Sequence, residues 1–249
     1  MDPKDRLIVA LDVSSQEEME RLTKLLAPHV GYFKVGLEAL TSIGIPRAVE
    51  CVTWYAGSPF YDGKFMDIPN TVAGATRGVG KLGAKMFNIH CTGGRKMMIE
   101  ARVAVDVMDP PKPLLLGVTI LTSLKYDDFV DMGFFPRLVF PEGKEKRLQE
   151  LVVSLAKLGQ QCGLDGVIAS PQEAPDIRQA CGQDFKIVTP GIRPEWAQLN
   201  DQERVMTPFE AIKAGVDYIV VGRPITGHKD PVEATRMIVE EIRLAMGAE

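Results

Sequence analysis

Short apolar runs recur along the chain, and the intervals between them carry apolar residues at helical spacing. The runs are rich in valine, isoleucine and leucine, and they occupy residues 7–11, 33–37, 60–65, 86–91, 115–121, 165–169, 186–189 and 218–222. Their hydrophobicity is largely continuous, which is typical of parallel strands that are covered on both faces. The pattern therefore predicts eight buried parallel strands.

Helical periodicity fills the intervals between these strands. The first helix is predicted to begin at Ser15, which forms a capping-box pattern with Glu18. The later helices are predicted at residues 71–82, 95–107, 144–159, 171–180, 208–214 and 231–246. Three of them begin at a proline, a residue that is tolerated in a first helical turn. Residues 122–145 are expected to hold a short extra helix, and residues 191–206 are expected to form a lid.

The alternation of eight strands with about eight helices fits a (β/α)8 barrel. A doubly wound open sheet is the alternative, because periodicity does not reveal whether a sheet closes. The GxGxxG fingerprint of dinucleotide-binding open sheets is absent after Leu11, where the chain reads Asp-Val-Ser-Ser. The sequence therefore predicts the α/β class and a single (β/α)8 TIM barrel domain over residues 1–249.

Composition excludes several classes of function. The 29 basic and 33 acidic residues give a formal net charge of −4, which argues against a broad nucleic-acid surface. The apolar runs are too short to span a bilayer, and the charged N-terminus lacks the apolar core of a secretory signal. The four cysteines have neither CxxC nor metal-ligand spacing and are interpreted as reduced, buried thiols. We expect a cytoplasmic protein without a nucleic-acid or membrane partner.

Charged residues stand at the ends of the first three predicted strands, where a barrel gathers its catalytic groups. Asp12 follows the first strand, Lys34 lies in the second, and Asp62 and Lys64 are two residues apart in the third. Spacing of two places both of the last pair on one face of a strand. Buried charges are costly unless they are paired, so a structural ion pair could explain one of them but explains an alternating array poorly. The array predicts an active site.

The loops after the seventh and eighth strands supply a second kind of chemistry. They contain Thr189-Pro-Gly-Ile-Arg193 and Gly222-Arg223, at the positions where barrels of this type commonly bind phosphate. Backbone N–H groups near Gly191 and Gly222 can approach an anion, and Arg223 can clamp it. A tight turn with a solvated arginine is the alternative interpretation. Together with the charged strands, these loops predict a site for a phosphorylated small molecule.

One segment resembles a known family. The run Asp62-Gly-Lys64-Phe-Met-Asp67-Ile-Pro-Asn-Thr71 is similar to the D-x-K-x-x-D-I-P-x-T signature of the orotidine 5′-phosphate decarboxylases. The blocks around Asp12, Lys34, Gly117–Ser123, Val188–Pro194 and Val220–Ile225 resemble further blocks of that family in the same order, so the resemblance spans residues 6–240. Gly63 and Met66 depart from the leucine and histidine that the family commonly has.

The resemblance implies decarboxylation of orotidine 5′-monophosphate to uridine 5′-monophosphate, the last step of de novo pyrimidine synthesis. It implies a homodimer with shared active sites, no cofactor and no metal. Lys64 is expected to stabilise negative charge at C6 and to protonate it, and Asp62 is expected to face the substrate carboxylate.

The resemblance also assigns the remaining site residues. Lys34 and Asp12 are expected to hold the ribose hydroxyls, whereas Asp67, Ile68 and Thr71 are expected to reach the neighbouring subunit's site. Thr122 and Ser123 correspond to positions that contact the pyrimidine. The phosphate-contacting positions correspond to Arg193, Gln202, Gly222 and Arg223, with the 191–206 loop closing over the nucleotide.

Two other functions remain open from the residues alone. A related Mg-dependent sugar-phosphate decarboxylase or aldolase could use a similar Asp-x-Lys-x-x-Asp array, although Ile68, Pro69 and Thr71 favour the orotidylate branch. A non-catalytic nucleotide-binding barrel is the other alternative, and the intact Asp62, Lys64 and Asp67 argue against it.

Overall fold

The computed structural model describes residues 1–137, 143–197 and 206–247. Eight parallel strands follow one another around a closed barrel, each paired with its neighbours in the sequence. The barrel closes where β1 pairs with β8, with Ile8 opposite Val220. The strands are β1 Leu7–Ala10, β2 Tyr32–Val35, β3 Pro59–Phe65, β4 Met86–His90, β5 Leu114–Val118, β6 Gly166–Ile168, β7 Lys186–Thr189 and β8 Tyr218–Val221.

Helices connect the strands and form the outer layer. The helices are α1 Gln16–Leu26, α2 Leu37–Ser42, α3 Ile45–Trp54, α4 Pro69–Lys81, α5 Arg95–Asp106, α6 Tyr126–Asp131, α7 Lys144–Gln161, α8 Ala174–Cys181, α9 Pro208–Lys213, α10 Arg223–Thr226 and α11 Pro231–Ala245. Short 3-10 turns cover Pro3–Arg6, Ala27–His29, Cys91–Gly93 and Pro171–Glu173.

Both faces of the strands are buried, which explains why their sequences are almost continuously apolar. In β1, Ile8 and Ala10 belong to the core inside the barrel, whereas Leu7 and Val9 pack against the helices. The inner core also contains large side chains from several other strands, including Phe60, Met86, Leu116, Val188 and Tyr218. This inner core forms the floor beneath the barrel mouth.

The predicted (β/α)8 barrel is confirmed, and its closure rules out the open sheet. The expected extra helix within residues 122–145 is α6, and the expected lid falls largely on residues 198–205, outside the described residues. The helix predicted over residues 171–180 begins instead with a 3-10 turn, and its α-helical part is α8. Helices α2, α3 and α10 were not predicted: α2 and α10 are short, and none of the three has a capping side chain at its start.

Two aspartates make the same pair of hydrogen bonds at the N-terminal end of the barrel, opposite the mouth. Asp165 accepts hydrogen bonds from the Leu115 amide at 2.7 Å and from Arg102 at 3.0 Å. Asp217 accepts from the Ile187 amide at 2.9 Å and from Arg178 at 2.6 Å. Each carboxylate therefore joins a strand amide to an arginine from the helix layer, far from the mouth.

Further expectations concern the cysteines and the membrane. All four cysteines are free thiols and buried, as predicted. Burial raises the pKa of Cys51 to about 11 and that of Cys91 to about 12, so both are protonated at neutral pH. Among the helices of the described residues, none combines the length and apolarity that a bilayer crossing needs.

Candidate active site

A cavity of about 310 Å³ opens at the C-terminal ends of the strands. Its floor is apolar and consists of inner-core side chains that include Phe60, Ile168 and Val188. Its wall is polar and includes eight of the residues predicted for the site, namely Asp12, Lys34, Asp62, Lys64, Thr122, Arg193, Gly222 and Arg223. The closed barrel therefore brings together residues from both ends of the sequence.

Four alternating charges form a continuous array along one side of this cavity. The Nζ atom of Lys34 lies 2.9 Å from Oδ1 of Asp12 and 3.3 Å from Oδ2 of Asp62. The Nζ atom of Lys64 lies 2.6 Å from Oδ1 of Asp62. Asp62 is the buried centre of the array, with 6% of its surface exposed, whereas Asp12 is exposed at the rim. The sequence-based prediction that these four charges meet at the mouth agrees with this geometry.

The charges in the array keep Asp62 and Lys34 ionised. Burial on its own would raise the pKa of Asp62, but the charges of Lys34 and Lys64 and hydrogen bonds from Lys64 and Asn88 outweigh it, so the pKa is lowered. Burial would likewise lower the pKa of Lys34, but the charges of Asp62 and Asp12 reverse that effect and raise it. Asp62 is therefore a carboxylate and Lys34 an ammonium at neutral pH.

The buried amide of Asn88 connects the two central groups, and the sequence analysis did not identify it. Asn88 lies in β4 and is fully buried. Its Nδ2 donates to Oδ1 of Asp62 at 2.6 Å, and its Oδ1 accepts from the backbone N–H of Lys64 at 2.8 Å. A polar residue at an inward position of an otherwise apolar strand was the signal in the sequence. Asn88 thus fixes Asp62 and the Lys64 backbone relative to each other.

The backbone at Lys64 is irregular. Its φ of 49° lies in the left-handed region, which is uncommon for a residue with a side chain and costs about 1–3 kcal/mol when held in place. The pairing of β3 with β4 shifts register between Tyr61 and Phe65, on either side of this residue. Lys64 therefore reaches Asp62 from a bulged strand rather than from a regular pleat.

Gly36 is a second residue that the sequence analysis missed. A Cβ atom at this position would lie 2.8 Å from Nζ of Lys34 and 3.3 Å from Oδ1 of Asp12. A larger residue at position 36 would therefore displace the Lys34 ammonium from its place beside Asp12. The preference for glycine arises from side chains of Lys34, Asp12 and Asp62, which come from three different strands or strand ends. No local pattern in the sequence reveals it.

The opposite side of the cavity carries the predicted anion site. Arg193 is 5% exposed, and its backbone N–H donates to the carbonyl of Met206 at 3.0 Å, which ties the two ends of the predicted lid together. Gly222 precedes α10, and Arg223 is the first residue of that helix. Two arginines from the loops after β7 and β8 thus line the same cavity as the Asp62–Lys64 pair. Gln202 lies outside the described residues.

Four predicted site residues do not line this cavity. Asp67, Ile68 and Thr71 are exposed beyond the end of β3 and at the start of α4, and Ser123 is exposed in the loop after β5. The carboxylate of Asp67 accepts a hydrogen bond from the Ile68 amide at 2.6 Å. Among the described residues there is no cluster of three or more His, Cys, Asp or Glu side chains arranged to hold a metal ion.

Comparison with known proteins connects this geometry to a chemistry. The model of the orotidine 5′-phosphate decarboxylase / HUMPS family matches residues 5–238. The orotidine 5′-phosphate decarboxylase of Trichlorobacter lovleyi is 47% identical over 243 residues, covering 97% of this chain and 96% of that protein. That of Syntrophomonas wolfei is 45% identical over 249 residues, covering 97% and 99%.

A solved structure is similar over nearly the same extent. The crystal structure of orotidine 5′-phosphate decarboxylase from Lactobacillus acidophilus has a TM-score of 0.79 and 37% sequence identity, covering 95% of this chain and 98% of that one. Sequence and fold therefore agree over almost the whole length. The chain belongs to the orotidine 5′-phosphate decarboxylase / HUMPS family.

Proposed function

We propose that this carboxy-lyase converts orotidine 5′-monophosphate to uridine 5′-monophosphate without a metal or cofactor, with Lys64 as the proton donor. The family match and the named relatives support decarboxylation in pyrimidine biosynthesis. The observation that carries the assignment of residues is the ion pair between the buried Asp62 and the partly exposed Lys64, 2.6 Å apart, in a cavity that Arg193 and Arg223 also line. A substrate with a carboxylate at one end and a phosphate at the other fits this arrangement.

The chemistry follows from where charge moves. The C6–carboxylate bond breaks, CO₂ leaves, and its electron pair remains on C6 until a proton from the Lys64 ammonium forms the C6–H bond. Only interactions that are stronger in the transition state than in the ground state accelerate this step. The Lys64 ammonium is such a group because negative charge develops next to it. Asp62 keeps its charge and repels the bound carboxylate. This repulsion raises the free energy of the ground state more than that of the transition state.

The rest of the substrate supplies binding energy at a distance from the reacting carbon. Asp12 and Lys34 are proposed to hold the ribose hydroxyls, and Thr122 and Ser123 to contact the pyrimidine. Arg193, Arg223, the Gly222 backbone and Gln202 are proposed to bind the phosphate. Binding of the phosphate would draw the 191–206 loop over the nucleotide and exclude water. Because substrate and product are charged nucleotides that do not cross membranes, we place the reaction in the cytoplasm.

A second copy of the chain is proposed to complete each site. Asp67, Ile68 and Thr71 are exposed and do not line the cavity of their own chain, and Ile68 is 67% exposed although it is apolar. The neighbouring Met66 is also apolar and 58% exposed. Exposed apolar side chains of this size beside a polar site are typical of an interface. The expected dimer would cover them and carry Asp67 to the partner's substrate.

The first experiment measures the fall in ultraviolet absorbance when purified protein meets orotidine 5′-monophosphate in excess EDTA. We expect turnover by the wild type, loss of turnover in Lys64→Ala, and retention in the surface control Lys81→Ala. Turnover that requires Mg²⁺, or that occurs with a sugar phosphate instead, would support the sugar-phosphate alternative. Tight nucleotide binding without turnover would support the non-catalytic barrel.

Mixed dimers test the shared site. When inactive Lys64→Ala and inactive Asp67→Ala chains are combined, one of the two sites regains both an intact Lys64 and an intact partner-supplied Asp67. We therefore expect activity to return on mixing, up to one active site per mixed dimer. If each chain uses its own Asp67, mixing restores nothing.

A further inference from the structure

The ring of Tyr61 occupies the space beside Gly63, one of the two residues at which this chain departs from the decarboxylase signature. A Cβ atom built on Gly63 would lie 2.2 Å from Cε1 of Tyr61 and 2.8 Å from its Cζ and Oη. Such distances are shorter than any real Cβ contact, so residue 63 has no room for a side chain while the ring stays in place. The missing side chain at residue 63 therefore leaves no void, because the tyrosine fills it.

This ring lies directly behind the proposed proton donor. Tyr61 and Gly63 share the outer face of β3, which packs against the helices, whereas Asp62 and Lys64 face the cavity. Tyr61 is 3% exposed, and its ring packs against that of Phe65 at a centroid distance of 5.3 Å. The aromatic pair thus covers the outer side of the strand from residue 61 to residue 65.

The same stretch of strand is the irregular one. Lys64 has its left-handed φ here, and the register with β4 shifts between Tyr61 and Phe65. Asn88 holds this backbone from the β4 side through the Lys64 amide. A strained bulge persists only when its surroundings hold it from several directions, so a rigid group on the outer face has a mechanical role.

We propose that Tyr61 is a positioning residue for Lys64. Its ring takes the place of a side chain at residue 63 and supports the strand at Gly63 from the outer face, which keeps the bulge and the Lys64 ammonium in place beside Asp62. Residues 61 and 63 therefore act as one packing unit, in which a large side chain at one position requires a small residue at the other. This inference rests on the proposed role of Lys64, and it adds the means by which that lysine is held.

A double-mutant cycle tests the coupling. Gly63→Leu alone overpacks the strand and is expected to lower kcat about tenfold or more, because small displacements of a reacting group are costly. KM is expected to change less than about threefold, since the proposed ribose and phosphate contacts come from other strands and loops. Tyr61→Ala combined with Gly63→Leu roughly conserves the total side-chain volume, and we expect it to restore kcat to within about threefold of the wild type.

Two control variants separate positioning from general stability. Tyr61→Phe keeps the ring, and we expect wild-type kcat. Gly117→Ala overpacks a different strand, where a Cβ would lie 2.4 Å from Sγ of Cys91. We expect this variant to lower the melting temperature while kcat per folded molecule stays near the wild-type value. If Gly63→Leu does not fold, the double variant and the milder Gly63→Ala still report on the coupling.

Some outcomes would overturn the inference. A folded Gly63→Leu enzyme with wild-type kcat would show that the ring moves aside without disturbing Lys64. A folded double variant no faster than Gly63→Leu would show that the two residues do not share one packing role. Neither result bears on the reaction itself, because activity that survives Lys64→Ala is what would refute the proposed proton donor.

Discussion

Removing the amide of Asn88 should separate the two groups on which the proposed chemistry depends. In Asn88→Ala, the Lys64 backbone N–H loses its acceptor at 2.8 Å and Asp62 loses a donor at 2.6 Å. A neutral hydrogen bond contributes about 1 kcal/mol, and one to a charged group contributes about 2 kcal/mol. If the combined loss of about 3 kcal/mol falls on the arrangement of the site, kcat should decrease about a hundredfold.

The absorbance assay measures this loss, and a matched variant controls for the missing buried polar group. Thr119 is also fully buried in the barrel, and its Oγ1 donates to the carbonyl of Ile168 at 3.1 Å, away from Asp62 and Lys64. Thr119→Val should be destabilised by about 1 kcal/mol and should retain kcat within about threefold. Equal kcat values for folded Asn88→Ala and folded Thr119→Val would show that Asn88 does not hold Asp62 and Lys64 in place.

The isosteric Asn88→Asp variant tests the hydrogen bond between residue 88 and Asp62 through the pH dependence of activity. Its carboxylate can still accept from the Lys64 amide, but it meets Asp62 as a second acid. Two carboxylates at this distance repel each other, so the pair binds one proton with a raised pKa. While that proton is bound, residue 88 can donate a hydrogen bond to Asp62 as the Asn88 amide does. Activity should therefore fall as pH rises through the raised pKa. A pH–rate profile parallel to that of the wild type would contradict a hydrogen bond from residue 88 to Asp62.

Three further predictions concern pH, the phosphate end and the barrel base. Because the pKa of Asp62 is lowered, the stability and activity that depend on its charge should persist as pH falls and decline only below about pH 4, as a pH–rate profile would reveal. Arg223→Ala should lower kcat/KM about a hundredfold or more, and kcat with it, in steady-state assays. Arg178→Met removes the arginine 2.6 Å from the partly buried Asp217 and should lower the free energy of unfolding by about 3 kcal/mol in urea titrations, with kcat of the folded enzyme unchanged.

The regular parts of the fold could be predicted because they follow from local pattern. Eight continuous apolar runs gave eight strands, and prolines at the starts of α9 and α11 marked two helices correctly. Barrel closure could not be deduced from periodicity, since an open sheet buries its strands in the same way. It follows instead from the pairing of β1 with β8.

The pairing of Asp62 with Lys64 was predicted for a reason that is only partly right. Spacing of two places residues on one face of a regular strand, but Lys64 has a left-handed backbone within a register shift. The bulge and the Asn88 hydrogen bond depend on the neighbouring strand β4, which no pattern within β3 reveals. The proposed roles of Asp67, Ile68 and Thr71 depend on a second chain and could be suggested only by the family resemblance.

Contacts from three parts of the barrel hold Lys64 and its partner Asp62 in place. The Nζ atom of Lys64 is hydrogen-bonded to Asp62, whereas the proposed proton transfer requires the ammonium to face C6 of the substrate. The side chain must therefore turn while its backbone stays fixed, or the proton would be delivered at a variable distance. Asn88 fixes the backbone from β4, the Tyr61 ring supports it from the helix layer, and Lys34 holds Asp62 from β2. With its backbone held from two directions and Asp62 held from a third, Lys64 retains the side-chain rotation that the proposed transfer of its proton to the carbanion requires.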